Sequence, residues 1–190
     1  AILNIGMSDA RHAAMSKVIG EGPATSLYLR FIQSYAVHVA RLDPDAFDLP
    51  DEPHADALQA ALAAYEFETD EPFPQDVTVQ LTEVLRSMAR AWSGTTARLL
   101  REAKGAPVDA GLGLVVQAMA LGVGSGECGS GVIQFVDAMT GLPQVTGRYL
   151  SQSQGRDALT ADEGAIYLTR DPRGQSLEQQ CPEAFASLIT

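Results

Sequence analysis

The sequence predicts an α+β fold in which a mainly helical part precedes a part built from antiparallel strands. Between Ser8 and Arg101, apolar residues recur at spacings of three and four, which places them on one face of a helix. After Gly105, the apolar residues come instead in short runs bounded by glycines, which is typical of strands. The change of pattern places a boundary either near residues 72–76 or near Gly105.

Composition narrows the class of protein. The 190 residues are 46% hydrophobic and 19% charged, as in a globular protein with one substantial core or two small ones. A net charge of -11 argues against a surface for nucleic acid or for an anionic membrane. No apolar run approaches the roughly twenty residues that span a bilayer, and no signal peptide is visible. Since Cys128 and Cys181 lack metal-binding spacing, we expect a reduced, cytoplasmic protein.

Five helices are predicted in the first part. The first follows a cap at Ser8 or Asp9 and stops near Gly20, and the fourth follows a cap at Asp76. The others cover residues 26–42, residues 55–67 and a segment after Gly94. Residues 48–56 contain two prolines and four acids, which indicates a solvated connection.

Strands are predicted on both sides of a glycine-rich loop at residues 122–131. Two apolar runs, residues 112–119 and 132–136, flank this loop and have the length of buried strands. Further strands are predicted at residues 146–150 and 165–168. A helix is predicted at residues 182–189.

The loop itself has two explanations. Its five glycines favour positive φ angles or a close approach to the backbone, and backbone N–H groups in such a loop can converge on a phosphate. A plain hairpin turn is the alternative. No Gly-Lys-Ser or Gly-Lys-Thr ends the loop, and the glycines at 124, 126 and 129 precede a strand where a dinucleotide fingerprint requires a helix. The spacing therefore favours a structural hairpin.

Residues with catalytic chemistry form no recognisable constellation. Ser130 lacks a nucleophile-elbow pattern because Cys128 stands where the first glycine belongs. Asp137 and Asp157 border predicted strands next to glycine turns, where a magnesium nucleotide could bind. No catalytic or metal-binding residue is predicted from these patterns. The three histidines lie on separate predicted elements without triad or metal spacing: His12, His38 and His54.

Six ordered blocks carry a resemblance to a known family. They are Ile-Leu-Asn-Ile-Gly-Met-Ser-Asp at 2–9, Tyr-Leu-Arg-Phe-Ile-Gln at 28–33, Phe-Pro-Gln-Asp at 73–76 with Gln80, Leu81 and Trp92, Val-Gln-Ala-Met at 116–119 with Gly122, Gly-Ser-Gly-Val at 129–132, and Thr140-Gly141 through Gln-Gly-Arg-Asp at 154–157. These blocks resemble the nucleotide-binding, ATP-grasp-like domain of pyruvate, phosphate dikinase. The resemblance implies a helical subdomain over residues 1–72. It implies that residues 73–190 form the helix and antiparallel-sheet part of the ATP-grasp-like domain.

The resemblance also implies a function. In that family the domain binds ATP with Mg²⁺, and the nucleotide phosphorylates a histidine on a separate swivelling domain, which leads to phosphoenolpyruvate. Four residues receive nucleotide-binding roles by this resemblance: Gln117, Met119, Gly122 and Gln154. At the hinge strand, the backbone would offer an N–H and a C=O to the adenine edge, and Met119 would pack on its face.

Departures from the family lead to an alternative. The family's catalytic lysine and arginine would precede Ala1, and its Asp-Ile-Glu and Gln-Thr-Arg motifs would follow Thr190, so this chain alone is not expected to transfer a phosphoryl group. The chain does not open with methionine, and the natural chain is expected to be longer. Val136 replaces a family arginine, and Arg148 and Arg156 replace glutamates, which reverses local charge. The alternative is a degenerate, non-catalytic module for interaction or nucleotide sensing.

Overall fold

The computed structural model describes residues 2–47, 55–107, 109–155, 157–161 and 164–189. The chain forms two compact units, Ala1–Met119 and Ala120–Thr190. The first is helical, and the second combines a small antiparallel sheet with short helices, in agreement with the predicted α+β class. The predicted boundary between residues 72 and 73 falls inside the first unit. That domain assignment and its ATP-grasp-like character stay predictions.

The described residues of the first unit form five α-helices, α1 (Asp9–Ile19), α2 (Glu21–Tyr35), α3 (Ala55–Thr69), α4 (Val77–Ser93) and α5 (Thr95–Ala103). All except α2 lie close to where the sequence predicts them. A π-helical turn, Ala36–Ala40, continues α2, and a 3-10 turn, Pro44–Phe47, follows it. Of the described helices, none is long and apolar enough to cross a membrane.

Helix α2 begins five residues before the predicted start. Gly20 adopts φ 91° and separates α1 from α2. Pro23 lies in the first turn of α2, where the N–H group that proline lacks would have no partner within the helix. The residues that were expected to form a loop therefore form the first turn of the helix.

The predicted caps of α1 and α4 are confirmed. Ser8 Oγ accepts a hydrogen bond from the Arg11 N–H at 3.3 Å. Asp76 Oδ1 accepts from the N–H groups of Thr78 and Val79, at 2.7 and 3.0 Å. Both caps satisfy N–H groups that the helices cannot pair internally.

An aromatic cluster forms the core of the first unit. Phe73, in the connection between α3 and α4, is 3% exposed and lies at its centre. Its ring centroid lies 5.1 to 6.1 Å from those of four other rings, in edge-on arrangements that aromatic pairs prefer. These rings belong to Tyr28, Phe31, Tyr35 and Tyr65.

Gln80 connects two loop segments inside this core, the one before α1 and the one before α4. Its side chain is fully buried, and its Oε1 accepts from the Gly6 N–H at 2.8 Å. Its Nε2 donates to the carbonyl oxygens of Met7 and Pro74, at 2.8 and 2.6 Å. One amide thus satisfies three backbone groups that belong to no helix or strand and would be costly to bury without partners.

The side chain of Gln75, an exposed residue, also bonds backbone groups of neighbouring segments. Its Oε1 accepts from the Asp9 N–H at 2.8 Å, and its Nε2 donates to the Phe73 carbonyl and the Tyr28 hydroxyl, each at 3.1 Å. The Tyr28 hydroxyl donates to Asp9 Oδ1 at 2.9 Å. Burial raises the pKa of Tyr28, so the hydroxyl stays protonated and keeps donating.

The second unit contains a three-stranded antiparallel sheet. Its strands are β1 (Gly129–Val136), β2 (Pro143–Ser151) and β3 (Ile166–Tyr167), in the order β1–β2–β3. The pairing places Gly131 opposite Tyr149, and Arg148 opposite Tyr167. Helices α6 (Asp157–Thr160), α7 (Leu177–Gln180) and α8 (Pro182–Ile189) complete the unit. Of these, only α8 was predicted.

The predicted strand at residues 112–119 is wrong. These residues are exposed and belong to no helix or strand. A strand requires a neighbouring strand for its backbone hydrogen bonds, and the described part of the chain places none beside them. The glycine-rich loop is therefore not a hairpin turn, and the hairpin of this unit joins β1 to β2 through residues 137–142.

Some predictions fall outside the described residues. They concern His54, Arg156 and residues 48–54 of the proposed solvated connection. The backbone of Asp157 is described as the first residue of α6.

Replacing Gln80 tests the buried contacts of the first unit. We expect Gln80→Ala to lower the free energy of unfolding by at least about 2 kcal/mol, because it leaves buried N–H and C=O groups without partners. Urea unfolding followed by fluorescence of Trp92, the single tryptophan of the chain, measures this unit. Gln59→Ala, on an exposed position of α3, is the control and should change the value by less than about 0.5 kcal/mol. Equal effects of the two substitutions would contradict the assignment.

Acid titration tests the cap of α4. Hydrogen bonds from the N–H groups of Val79 and Thr78 lower the pKa of Asp76 below its ordinary 3.8. The charged cap therefore contributes stability above the unfolded-state pKa, and this contribution is lost as the pH falls through the lower folded-state value. Asp76→Asn keeps a capping oxygen without a titrating group. The variant should show a smaller loss of stability between pH 5 and pH 2 (approximate bounds) than the unmodified chain, as measured by thermal unfolding, and identical pH profiles would exclude this role.

Candidate functional site

Gln117 and Met119 lie at the end of the first unit. Both side chains are exposed on a segment that belongs to no helix or strand, and Val115 and Val116 beside them are 84% and 64% exposed. The hydrogen bonds found in the described part of the chain include none from the backbone of residues 112–119. This backbone therefore offers donors and acceptors in an apolar setting, and Met119 adds an adaptable thioether.

Gly122 and Gln154 lie in the second unit and contact each other directly. Gln154 is 7% exposed, and its Oε1 accepts from the Gly122 N–H at 2.7 Å. Its Nε2 donates to the Ala120 carbonyl at 3.2 Å. The amide thus pairs with one N–H and one C=O of a segment outside any strand, as the backbone of a neighbouring strand would do.

Close packing explains the glycine at position 122. A Cβ there would overlap the carbonyl oxygen of Ser153 and would lie 2.7 Å from that of Gly129. Real Cβ atoms do not approach backbone oxygens so closely. The role of this glycine in the structure is a close approach of three backbone segments, which is one of the two uses expected of such a loop.

Two further residues after β2 fasten the same loop. Gln152 Oε1 accepts from the Gly124 N–H at 3.0 Å, and its Nε2 donates to the Gly126 carbonyl at 3.2 Å. Ser153 Oγ accepts from the Ser130 N–H at 3.2 Å. Three consecutive residues that follow β2 thus bond the glycine-rich loop at four positions.

These contacts bear on the phosphate explanation of the loop. The N–H groups of Gly122, Gly124 and Ser130 already donate to side chains of this chain. The Cys128 N–H donates to the Gly126 carbonyl at 3.0 Å. Since a phosphate would have to displace these acceptors, the arrangement favours a structural role for the loop at these positions.

Sequence reasoning missed Gln152 and Ser153. The available signal was the run Ser-Gln-Ser-Gln at 151–154, which directly follows a predicted strand and contains two side-chain amides two residues apart. Of the four predicted nucleotide-binding residues, Gly122 and Gln154 are brought together. Gln117 and Met119 belong to the other unit.

The acidic candidates have local roles. Asp137 Oδ1 accepts from the N–H groups of Met139 and Thr140, both at 2.8 Å, inside the turn between β1 and β2. These bonds, with Thr140 contributing most, lower the pKa of the Asp137 carboxyl, which is therefore charged at neutral pH. The side chain of Asp157 lies outside the described residues. Within the described ranges, no three His, Cys, Asp or Glu side chains are grouped so that they could hold a metal ion.

The two described histidines also make local contacts. His12 Nε2 lies 2.9 Å from Thr25 Oγ1 on α2. His38 belongs to the π-helical turn, and its carbonyl accepts from Ser87 Oγ at 2.7 Å. Neither contact suggests a catalytic arrangement.

Positions that depart from the family pattern have defined surroundings. Arg148 Nη2 donates to the Ala165 carbonyl at 3.0 Å, across the sheet towards the start of β3. Val136 ends β1 and is 54% exposed. The cysteines, Cys128 and Cys181, are free thiols, both partly buried.

The curated proteins that resemble this chain are dikinases. The pyruvate, phosphate dikinase of Rhizobium meliloti is 29% identical over 97% of this chain and 23% of its own length. That of Clostridium symbiosum is 28% identical over 99% of this chain and 23% of its own length. That of Entamoeba histolytica is 28% identical over 83% of this chain and 20% of its own length. The similarity to pyruvate, phosphate dikinase that the six blocks predict is thereby confirmed for one segment of that protein.

The chain spans between a fifth and a quarter of the length of these relatives. No protein-family model matches it.

Substitution of Gly122 tests the packing of the loop. We expect Gly122→Ala to destabilise the second unit by at least about 2 kcal/mol, because the added methyl group has no space between two backbone oxygens. Thermal unfolding followed by circular dichroism measures the effect. Gly113→Ala is the matched control, since a Cβ there meets nothing within 4 Å. A Gly122→Ala variant as stable as this control would show that the loop is not packed in this way.

Proposed function

We propose that this chain is part of the ATP-binding region of a dikinase-like protein. The observation that carries the proposal is the similarity to pyruvate, phosphate dikinases over 97% and 99% of the chain. In such a protein, ATP phosphorylates a histidine on a separate swivelling domain, and the phosphoryl group goes on to form phosphoenolpyruvate. The chain would supply binding contacts for this reaction and no catalytic residue.

The positions of the matched blocks in the structure support the proposal. In the first unit, the blocks at 2–9, 28–33 and 73–81 meet at the side-chain amides of Gln75, which is exposed, and Gln80, which is buried. In the second unit, Gly122 and Ser130 meet the residues that follow β2. Residues that carry the similarity are thus the ones that hold buried loops together, as expected when related chains share a fold.

Gln117 and Met119 are the proposed contacts with the base. The edge of an adenine base carries a hydrogen-bond donor next to an acceptor. A backbone C=O and N–H of this segment can pair with them. The Met119 thioether can pack on the ring face. Gly122 and Gln154 take part by holding the backbone that follows.

Magnesium is proposed to arrive with the ATP phosphates. The described residues contain no group of three candidate ligands, so no side chain is assigned to the ion. Positioning and charge neutralisation dominate phosphoryl transfer, and the residues proposed above would contribute to positioning. A cytoplasmic location is part of the proposal, because both cysteines are free thiols, as in reducing compartments.

A degenerate module for interaction or nucleotide sensing is the second candidate. The observation that favours it is Arg148, which stands where the family has a glutamate and whose guanidinium bonds the Ala165 carbonyl. A cation at this position has a structural contact and a charge opposite to the family residue. Loss of ATP binding with retention of the fold is the outcome that this candidate requires.

A thermal-unfolding titration with ATP and Mg²⁺ tests the proposal. At ligand concentrations about a hundred times the dissociation constant, binding adds roughly 2.7 kcal/mol to the stability of the folded state, which is a rise of several degrees in Tm. We expect a saturable rise that is specific for ATP over UTP.

Two methionine variants localise the effect. Met119→Trp should abolish the rise, because a bulky ring replaces the thioether that packs on the base. Met139→Trp is the control, since Met139 is 94% exposed in the turn between β1 and β2 and has no proposed contact. Absence of a rise up to millimolar ATP in the unmodified chain would favour the degenerate module. Equal loss in both variants would refute the role of Met119.

A further inference from the structure

We infer that Gln154 is a positioning residue for nucleotide binding, which acts through the backbone of Ala120 and Gly122 and does not touch the nucleotide. The inference rests on the proposed ATP binding. It differs from the role that the family resemblance implies, in which Gln154 is itself a nucleotide contact.

Both polar atoms of the Gln154 side chain already form hydrogen bonds within this chain. Oε1 accepts from Gly122 at 2.7 Å and Nε2 donates to Ala120 at 3.2 Å, and the side chain is 7% exposed. A nucleotide contact would require these buried bonds to break and would leave an N–H and a C=O unsatisfied. That cost opposes any direct role of the amide.

The Gln154 amide restrains the backbone between Ala120 and Gly122. It holds the carbonyl of one residue and the N–H of the residue two positions later, so the intervening peptide groups cannot rotate freely. Ala120 directly follows Met119, the proposed base contact. A backbone that is already ordered before the ligand arrives binds with less loss of conformational entropy, and an amide brace of this kind supplies such order.

Gln152 holds the backbone of the same loop in a similar way. This residue makes the same pair of bonds, accepting from Gly124 and donating to Gly126, at 3.0 and 3.2 Å. Its bonds are exposed, and water can replace them. They also lie farther along the loop from Met119. Gln152 is therefore a matched control for the chemistry of the brace at another position.

The substitution Gln154→Glu separates positioning from simple stabilisation. A protonated carboxyl group can accept from Gly122 and donate to Ala120, as the amide does, whereas a carboxylate can only accept and would face the Ala120 carbonyl. Burial raises the pKa of such a carboxyl group, so protonation occurs in an accessible pH range. Ligand affinity of this variant should accordingly recover as the pH is lowered.

The test measures dissociation constants by calorimetry on the 190-residue chain, at a temperature where circular dichroism shows each variant folded. ATP and adenosine serve as probes. Gln154→Ala should weaken both by about tenfold or more, and Gln152→Ala by less than about threefold. Adenosine affinity of Gln154→Glu should rise by about tenfold between pH 8 and pH 5 (approximate values), while that of the unmodified chain stays constant.

The outcomes distinguish the inference from the proposed function. If the unmodified chain binds ATP and Gln154→Ala binds it equally well, the positioning role is overturned and the proposed function stands. The same holds if Gln154→Glu shows no pH dependence of adenosine affinity. If the unmodified chain binds neither probe, the proposed function fails, and the inference fails with it.

Discussion

Both units depend on one constraint, which is that backbone N–H and C=O groups buried outside helices and strands must find hydrogen-bond partners. In this chain, several glutamine side chains provide these hydrogen-bond partners. Gln80 pairs with the backbone of Gly6, Met7 and Pro74 in the first unit, and Gln154 pairs with that of Ala120 and Gly122 in the second. A primary amide suits this task because it donates and accepts without charge, so its burial avoids the desolvation cost of an ion.

The short connection between α3 and α4 shows how closely such contacts are combined. Phe73 places its ring at the centre of the aromatic core, and the Pro74 carbonyl accepts from Gln80. Gln75 reaches Asp9 at the start of α1, and the next residue caps α4. Packing, loop closure and helix initiation in the first unit therefore meet within four consecutive residues. This density explains why the block stands out in the sequence as a recognisable match.

Local signals allowed the helical elements to be predicted, because the information that sets them is local. Asp76 precedes an apolar stripe and caps α4, and the stop at Gly20 coincides with its positive φ. The strand predicted at residues 112–119 failed because a strand needs a partner, which an apolar run does not supply. The role of Gln154 could not be predicted either, since its contacts with Ala120 and Gly122 join positions more than thirty residues apart. The family resemblance singled out Gln154, and the structure adds the two hydrogen bonds that its side chain makes with the backbone.

The exposed segment that contains Gln117 also bears on the association of separate molecules of this chain in solution. From residue 110 to residue 126 the sequence has no charged side chain, although the chain as a whole carries -11. Repulsion between molecules therefore originates elsewhere on the surface, and it weakens as salt shortens the Debye length to about 8 Å at physiological ionic strength. At close range, the exposed apolar side chains of this segment have no charged residue among them that would oppose association with another molecule. The colloidal stability of the isolated chain is consequently tied to ionic strength and to acidic residues outside this stretch, of which Asp109 and Glu127 are the nearest in sequence.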